Sequence, residues 1–120
     1  MKKILIAEDD FVQRTLLLTT LQEKGYEVYA CESASQALFF YRKHTIDFVI
    51  TDIYLLDMDG FDLLHSLQGV NPEVRVLAMT SNPSTTYLNI GEMALRNGFS
   101  AFMTKPLNLM ELDQNLLEFA

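Results

Sequence analysis

The sequence lacks the residues and segments that define several classes of protein. It contains one cysteine, Cys31, which excludes an internal disulfide framework and a cysteine-based zinc site and is itself expected in the core. No apolar run approaches the roughly 20 residues that span a membrane. The apolar run at residues 4–7 is too short for a signal peptide. We therefore expect a cytoplasmic protein with no membrane-inserted segment.

Positive charge is also scarce. The 120 residues include 9 Lys and Arg against 16 Asp and Glu, a formal net charge of −7. Proteins that bind nucleic acid normally present a basic face, so direct binding to DNA or RNA is not expected. A chain of this length corresponds to one domain, and a hydrophobic content of 49% suffices for a buried core. We expect a single domain over residues 1–120.

Five short apolar runs alternate with longer amphipathic segments. Runs without apolar–polar alternation are typical of parallel strands that are buried on both faces, and they cover residues 4–7, 28–31, 48–50, 76–79 and 101–103. Between them, apolar residues recur at helical spacing, and we expect each stripe to face the core. The stripes are Val12, Leu16 and Leu17; Ala34, Ala37, Leu38 and Tyr41; residues 61–67; residues 87–96; and Leu109, Leu112, Leu116 and Phe119.

Residues typical of helix ends fall between the runs and the stripes. Asp10 and Ser33 are expected N-caps, and Gly25 and Gly98 are expected just past helix C-termini. The chain therefore divides into five strand-then-helix units with short, right-handed crossovers. This pattern predicts a doubly wound α/β sandwich around a parallel sheet.

Polar residues follow every predicted strand, and those after four of the five point to chemistry, whereas the second is followed only by Glu32 and the expected N-cap Ser33. In an open parallel sheet, ligands bind beyond the carboxyl ends of the strands. Glu8 and Asp9 follow the first apolar run and Asp52 the third, whereas Thr80 and Lys105 follow the fourth and fifth. If the first and third strands are neighbours, three carboxylates converge and repel one another unless a cation is present. Mg²⁺ prefers such oxygen ligands.

These groups are suited to phosphoryl transfer to a carboxylate. A metal ion and Lys105 would neutralise the phosphoryl oxygens, Thr80 would donate a hydrogen bond to one of them, and Asp52 would be the nucleophile.

Four motifs in this order resemble the response-regulator receiver domain of two-component signalling, as in the chemotaxis response regulator. They are KILIAEDD at 3–10, DFVITDIYLLDMDG at 47–60, VLAMTS at 76–81 and FMTKP at 102–106. The resemblance covers the whole chain and implies one receiver domain over residues 1–120. It also implies a five-stranded parallel sheet in a doubly wound, flavodoxin-like (βα)5 fold with three layers.

The resemblance implies a role for each matching residue. Asp52 is the phosphoacceptor, and Lys105 contacts the phosphoryl group. Mg²⁺, with Mn²⁺ as an alternative, is bound by Asp9, by Asp52, by the backbone carbonyl of Tyr54 and, through water, by Glu8. The switch residues are the hydroxyl-bearing Thr80 and the aromatic Phe102.

The resemblance also implies partners. A histidine kinase, a histidine phosphotransfer protein or a small acyl phosphate donates the phosphoryl group, and a downstream protein or an output domain responds. The domain is then no enzyme in the usual sense, because it catalyses only its own phosphorylation and dephosphorylation. It would be a monomer or a dimer linked to phosphorylation. The responding surface is expected on the fourth helix, fifth strand and fifth helix, with candidates Tyr87, Ile90, Met93 and Leu109.

Three positions depart from the usual receiver pattern. Leu56 stands where proline is common, which implies a less rigid loop. Tyr54 is large for its position and is expected to shield the phosphoryl group from water. Ser81 stands where a smaller residue is usual, and the interval to Lys105 is a few residues longer than in most members, a surplus that we place in residues 81–87.

Two alternatives remain open from the sequence. The first is a pseudo-receiver, which has the same fold but only binds proteins. The second is a haloacid-dehalogenase-like phosphatase, in which Asp57 would attack phosphate and Asp59 would act as acid and base. The motif DMDG at 57–60 suggests it, but the apolar residues before this motif are too few for a strand.

Overall fold

A five-stranded parallel sheet forms the centre of the molecule. The computed structural model describes residues 2–81 and 90–119, without the side chains of residues 90, 91 and 119. The strands are β1 (Lys3–Ala7), β2 (Glu27–Cys31), β3 (Phe48–Asp52), β4 (Val76–Thr80) and β5 (Ala101–Thr104). The helices are α1 (Phe11–Glu23), α2 (Ala34–Lys43), α3 (Gly60–Val70), α4 (Ile90–Arg96) and α5 (Leu109–Phe119).

The strand order is β2-β1-β3-β4-β5, and every neighbouring pair is parallel. The first and third strands are therefore adjacent, with Ala7 opposite Thr51. The predicted fold class, a doubly wound (βα)5 sandwich of flavodoxin-like type, is confirmed. Every residue of β3 and β4 is buried, which explains why these strands are continuously apolar up to their final polar residues.

The core has two parts, one on each face of the sheet. On one face, α1 and α5 pack on the sheet through Leu17, Leu21, Leu112 and Leu116. On the other face, α2, α3 and α4 cover it with residues such as Tyr41, Leu64 and Ala94. Cys31 is buried, as expected. Fully burying one side chain such as Leu21 contributes roughly 1.5–3 kcal/mol, so these two layers hold the strand ends in place.

The predicted helix ends are observed. The side chains of Asp10 and Ser33 accept hydrogen bonds from the backbone amides of Gln13 and Gln36, at 2.8 and 3.1 Å. Gly25 and Gly98 have φ angles of +94° and +107°, in the left-handed region that favours glycine at the end of a helix. None of the helices within residues 2–81 and 90–119 is long and apolar enough to cross a membrane.

Three residues that were predicted to face the core are exposed instead. Val12, Leu16 and Leu109 have exposed fractions of 70%, 66% and 56%. In α1 the residues buried against the sheet are Leu17 and Leu21, one helical turn apart, with Leu18 partly buried beside them, and Val12 and Leu16 lie off that line. Leu16 and Leu109 both line a cavity of about 550 Å³ between α1 and α5.

Part of the predicted responding surface lies outside the described residues. Tyr87 belongs to the stretch 82–89, which is not described. The extra residues between Thr80 and Lys105, which we expect within 81–87, fall almost entirely in the same stretch. The side chain of Ile90 is not described either. Met93 is half-buried and packs against the core beneath α4. Of the two candidates whose side chains are described, Met93 and Leu109, Leu109 is the exposed one.

The turn from β3 into α3 leaves no space for a side chain at Gly60. A Cβ atom there would lie 2.8 Å from the Ile53 Cα and 2.9 Å from the Asp52 carbonyl oxygen. We expect Gly60→Ala to lower the free energy of unfolding by about 1–3 kcal/mol, because backbone must shift to make room. Urea titration measures this loss. The matched control is Gly69→Ala in the same helix, where a Cβ meets nothing within 4 Å and stability should rise. Equal effects of the two substitutions would contradict the close contact.

Candidate functional site

Three carboxylates meet at the carboxyl edge of the sheet. Glu8 and Asp9 follow β1, and Asp52 ends the neighbouring strand β3. One carboxylate oxygen from each residue lies within 4.8 Å of the others. Glu8 and Asp52 are buried, at 1% and 7% exposed, and Asp9 is half-buried. The acid cluster predicted from the sequence is therefore formed by Glu8, Asp9 and Asp52.

Lys105 reaches this cluster from the far side of β4. Its ammonium Nζ lies 2.6 Å from the Glu8 Oε2 and 2.5 Å from the Asp52 Oδ2. The Lys105 backbone amide donates to the Thr80 carbonyl oxygen at 2.9 Å, which anchors the start of the β5–α5 loop on the end of β4. The side chain is itself 10% exposed. A buried cation thus touches two of the three acids.

The charges of this cluster depend on one another. Burial raises the pKa of the Glu8 carboxyl, and the hydrogen bond from Lys105 offsets part of that rise. Burial alone would lower the pKa of Lys105, but its hydrogen bonds to Asp52 and Glu8 outweigh burial and raise it. Lys105 therefore stays protonated at neutral pH. When all three acids are ionised, one ammonium leaves two net negative charges, the charge that a divalent cation would balance.

Backbone amides orient the acidic side chains. The Asp10 amide donates to the Glu8 Oε1 at 3.1 Å, and the Tyr54 amide donates to the Asp52 Oδ1 at 3.0 Å. The carboxylate of Asp52 is therefore held on one oxygen by the backbone and on the other by Lys105. Such fixed partners are what a metal or phosphoryl site needs to keep its ligands in position.

Arg14 is a part of the site that was missed in the sequence. Its guanidinium Nη1 donates to the carbonyl oxygens of Glu8 and Asp9, at 2.9 and 3.3 Å. It lies in the first turn of α1 and holds the backbone that carries two of the acids. The signal that would have found it is a long basic side chain five or six residues after the acids, at the start of the helix that follows them.

The remaining predicted site residues lie on β4, on β5 and in the loop after β3. Thr80 is buried at the end of β4, next along the sheet from the end of β3. Phe102 in β5 lies opposite Ala78 of β4 and is half-buried against the core. Tyr54 follows Asp52 by two residues and is 50% exposed, and Leu56 is 93% exposed. The backbone of Tyr54 thus contacts Asp52 while its side chain is half exposed, and Leu56 lies in solvent.

Asp57 and Asp59 do not belong to the acid cluster. Asp57 accepts hydrogen bonds from the backbone amides of Ala34 and Ser35 at the start of α2. Asp59 is the N-cap of α3 and accepts from the Asp62 amide at 2.9 Å. Both carboxylates are occupied in helix capping, which is a structural role and weakens the phosphatase alternative.

Comparison with known families agrees with this geometry. A family model described as the response regulator receiver domain matches residues 4–117. The chain belongs to the response regulator receiver domain family. This receiver domain is 33% identical over 113 residues to the transcriptional regulatory protein ZraR of Escherichia coli strain K12, with 94% of this chain and 25% of that protein covered. The receiver domain therefore spans about a quarter of the length of this curated relative.

Solved structures show the same fold. A CheY-like response regulator receiver domain protein of Methanospirillum hungatei matches with a TM-score of 0.88 and 28% identity, and covers 98% of this chain and 92% of that one. The chemotaxis protein CheY4 of Vibrio cholerae matches with a TM-score of 0.88 and 24% identity over 100% of this chain and 99% of that one. The receiver fold is therefore shared along the whole length of this chain.

Replacing Lys105 with methionine tests the charge balance of the site. The substitution leaves Glu8 and Asp52 as buried carboxylates without their ammonium. We expect the free energy of unfolding at pH 7, without divalent cations, to fall by about 3 kcal/mol. Burial raises the Glu8 pKa and Lys105 lowers it, so without Lys105 that pKa rises further and the folded variant binds a proton more readily than the wild type does. The loss should therefore shrink as the pH falls toward 5.

Urea titrations at the two pH values measure this loss, and Lys24→Met is the matched control. Lys24 pairs with Asp113 at 2.5 Å between α1 and α5, but both side chains are partly exposed, so the control should cost less than about 1 kcal/mol. If Lys105→Met is as mild as Lys24→Met, or its cost is the same at both pH values, the charge balance described above is wrong.

Proposed function

We propose that this receiver domain accepts a phosphoryl group on Asp52, with Mg²⁺, and thereby switches a protein-interaction surface. The observation that carries the proposal is the contact of Lys105 with Asp52, at 2.5 Å, inside a cluster of three carboxylates. The donor is the phosphohistidine of a histidine kinase or a histidine phosphotransfer protein, or a small acyl phosphate. Family membership supports the general function, reception of a signal within a response regulator.

The two oxygens of Asp52 have different partners and different roles. The Tyr54 amide holds Oδ1 and fixes the plane of the carboxylate, while Oδ2 faces Lys105. We assign the attack on phosphorus to Oδ2. The new O–P bond forms as the P–N bond of the phosphohistidine breaks, and the electron pair of that bond returns to the imidazole. The Lys105 ammonium then passes to a phosphoryl oxygen, where it neutralises developing charge.

The residues present fit a hard divalent cation. Asp9 and Asp52 would bind it directly, Glu8 would contribute through water, and the Tyr54 backbone carbonyl would complete the protein ligands. Mn²⁺, which takes the same oxygen ligands, is the alternative to Mg²⁺. When bound, the ion supplies positive charge that offsets repulsion among the carboxylates and the incoming phosphoryl group. Outside this reaction the domain is no enzyme, because it turns over only its own phosphoryl group.

The switched surface is proposed on α4, β5 and α5. Thr80 would bond the phosphoryl group at the end of β4, and Phe102 on the adjoining strand would respond to that movement. Leu109 on α5 is exposed and available to a downstream protein or an output domain, in a monomer or in a phosphorylation-linked dimer. The net charge of −7 argues that this domain does not itself bind nucleic acid. The cytoplasm is the proposed location, where a kinase would find its acceptor.

Incubation with Mg²⁺ and acetyl phosphate tests the function directly. We expect the intact mass to increase by one phosphoryl group in the wild type and in Asp57→Asn at saturating Mg²⁺, and not in Asp52→Asn. The Asp52→Asn side chain has the same size and can still accept the hydrogen bond from the Tyr54 amide, but it lacks the negatively charged oxygen that attacks phosphorus.

Two other outcomes would overturn the proposal. Labelling that persists in Asp52→Asn and vanishes in Asp57→Asn would favour the phosphatase. A wild type that takes no phosphoryl group and binds no Mg²⁺ would be a pseudo-receiver, which uses this fold only for binding proteins.

A further inference from the structure

The loop between β3 and α3 carries the backbone carbonyl of Tyr54 and is closed at its base. Tyr54 and Asp59 form an antiparallel bridge, and the Gly60 amide donates to the Ile53 carbonyl oxygen at 2.6 Å. The closed base leaves residues 55–58 as a short tip. Leu55 is buried in the tip, and Leu56 next to it is 93% exposed.

Asp57 ties this tip to another part of the chain. Its Oδ1 accepts from the Ala34 amide at 3.0 Å, and its Oδ2 accepts from the Ser35 amide at 2.9 Å and the Ser35 hydroxyl at 2.6 Å. The bond with the Ser35 hydroxyl is the chief cause that lowers the pKa of Asp57. The carboxylate is therefore ionised at neutral pH and bonds across 22 to 23 residues of sequence.

The helix that Asp57 reaches is already capped. Ser33 is the N-cap of α2 and accepts from the Gln36 amide, so the contacts of Asp57 with Ala34 and Ser35 are additional. At its other end α2 is tied to α3 by the bond from the Asn71 side chain to the Tyr41 hydroxyl, at 3.3 Å. Asp57 therefore holds the loop onto a helix that is fixed at both ends.

We propose that Asp57 is a positioning residue for the metal site, which it serves by clamping the β3–α3 loop so that the Tyr54 carbonyl stays in place. The inference rests on the proposed function of the acid cluster. Asp57 stands three residues after Tyr54 in the same closed loop. Its bonds to Ala34 and Ser35 therefore restrict the backbone that carries the Tyr54 carbonyl, in the way that outer partners orient the ligands of a metal.

The test compares Mg²⁺ affinity in three variants of the full chain. In Asp57→Ala all three bonds are lost, and we expect Mg²⁺ to bind on the order of tenfold more weakly. Asp57→Asn keeps an acceptor oxygen and should fall between this variant and the wild type. Ser33→Ala is the matched control, because it removes a cap from the same helix and leaves the loop clamp intact. Its Mg²⁺ affinity should equal that of the wild type.

Two measurements separate positioning from general destabilisation. Amide shifts in ¹⁵N-labelled protein follow the Mg²⁺ titration, and phosphorylation by acetyl phosphate is timed across the same concentrations. In Asp57→Ala the Mg²⁺ concentration for half-maximal labelling should rise by the same factor, while the limiting rate at saturating Mg²⁺ stays near that of the wild type. Urea titration confirms that Ser33→Ala and Asp57→Ala are folded.

Each outcome decides a different claim. If Asp57→Ala binds Mg²⁺ as tightly as Ser33→Ala does, Asp57 is only a helix cap and the inference is wrong. If the wild type itself neither binds Mg²⁺ nor accepts a phosphoryl group, the proposed function is wrong, and the inference, which rests on it, is wrong with it.

Discussion

Two buried carboxylates, on Glu8 and Asp52, share the ammonium of Lys105 at 2.6 and 2.5 Å. Neither carboxylate can stay ionised when buried in this way without a positive partner. The buried lysine would likewise lose its proton without the two carboxylates. The contact joins the ends of β1 and β3 to the loop after β5 and passes across β4. Packing of the two helical layers brings the strand ends together, and this contact makes their charges compatible.

The sheet explains why the site could be predicted from the sequence. Continuous apolar runs report burial on both faces, so the end of each strand is marked by the one or two polar residues that follow its run. Glu8, Asp52, Thr80 and Lys105 all stand at such ends, and parallel strands carry them to one edge. The sequence did not show the order of the strands in the sheet. The structure places β1 beside β3, and this adjacency brings the acids together.

Other features depend on contacts that no local pattern records. Helical spacing identified an apolar stripe in α1 but not which side of it meets the sheet, and the sheet takes Leu17 and Leu21 rather than Val12 and Leu16. The partner of Asp57 lies 22 to 23 residues earlier, so its motif suggested phosphate chemistry, whereas the folded chain uses it to tie a loop to α2. Arg14 bonds the backbone oxygens of Glu8 and Asp9, so its only trace in the sequence is its position five or six residues after the acids.

The central claim is that Lys105 leaves two negative charges for a divalent cation to balance. Equilibrium unfolding of the whole chain across a Mg²⁺ titration, with NaCl matching the ionic strength, measures it most directly. The account predicts that the free energy of unfolding rises with Mg²⁺ as for one specific site, by about 1.4 kcal/mol for each tenfold increase well above the dissociation constant, and that Asp52→Asn largely abolishes the rise. No rise beyond the NaCl control, or an equal rise in Asp52→Asn, would contradict it.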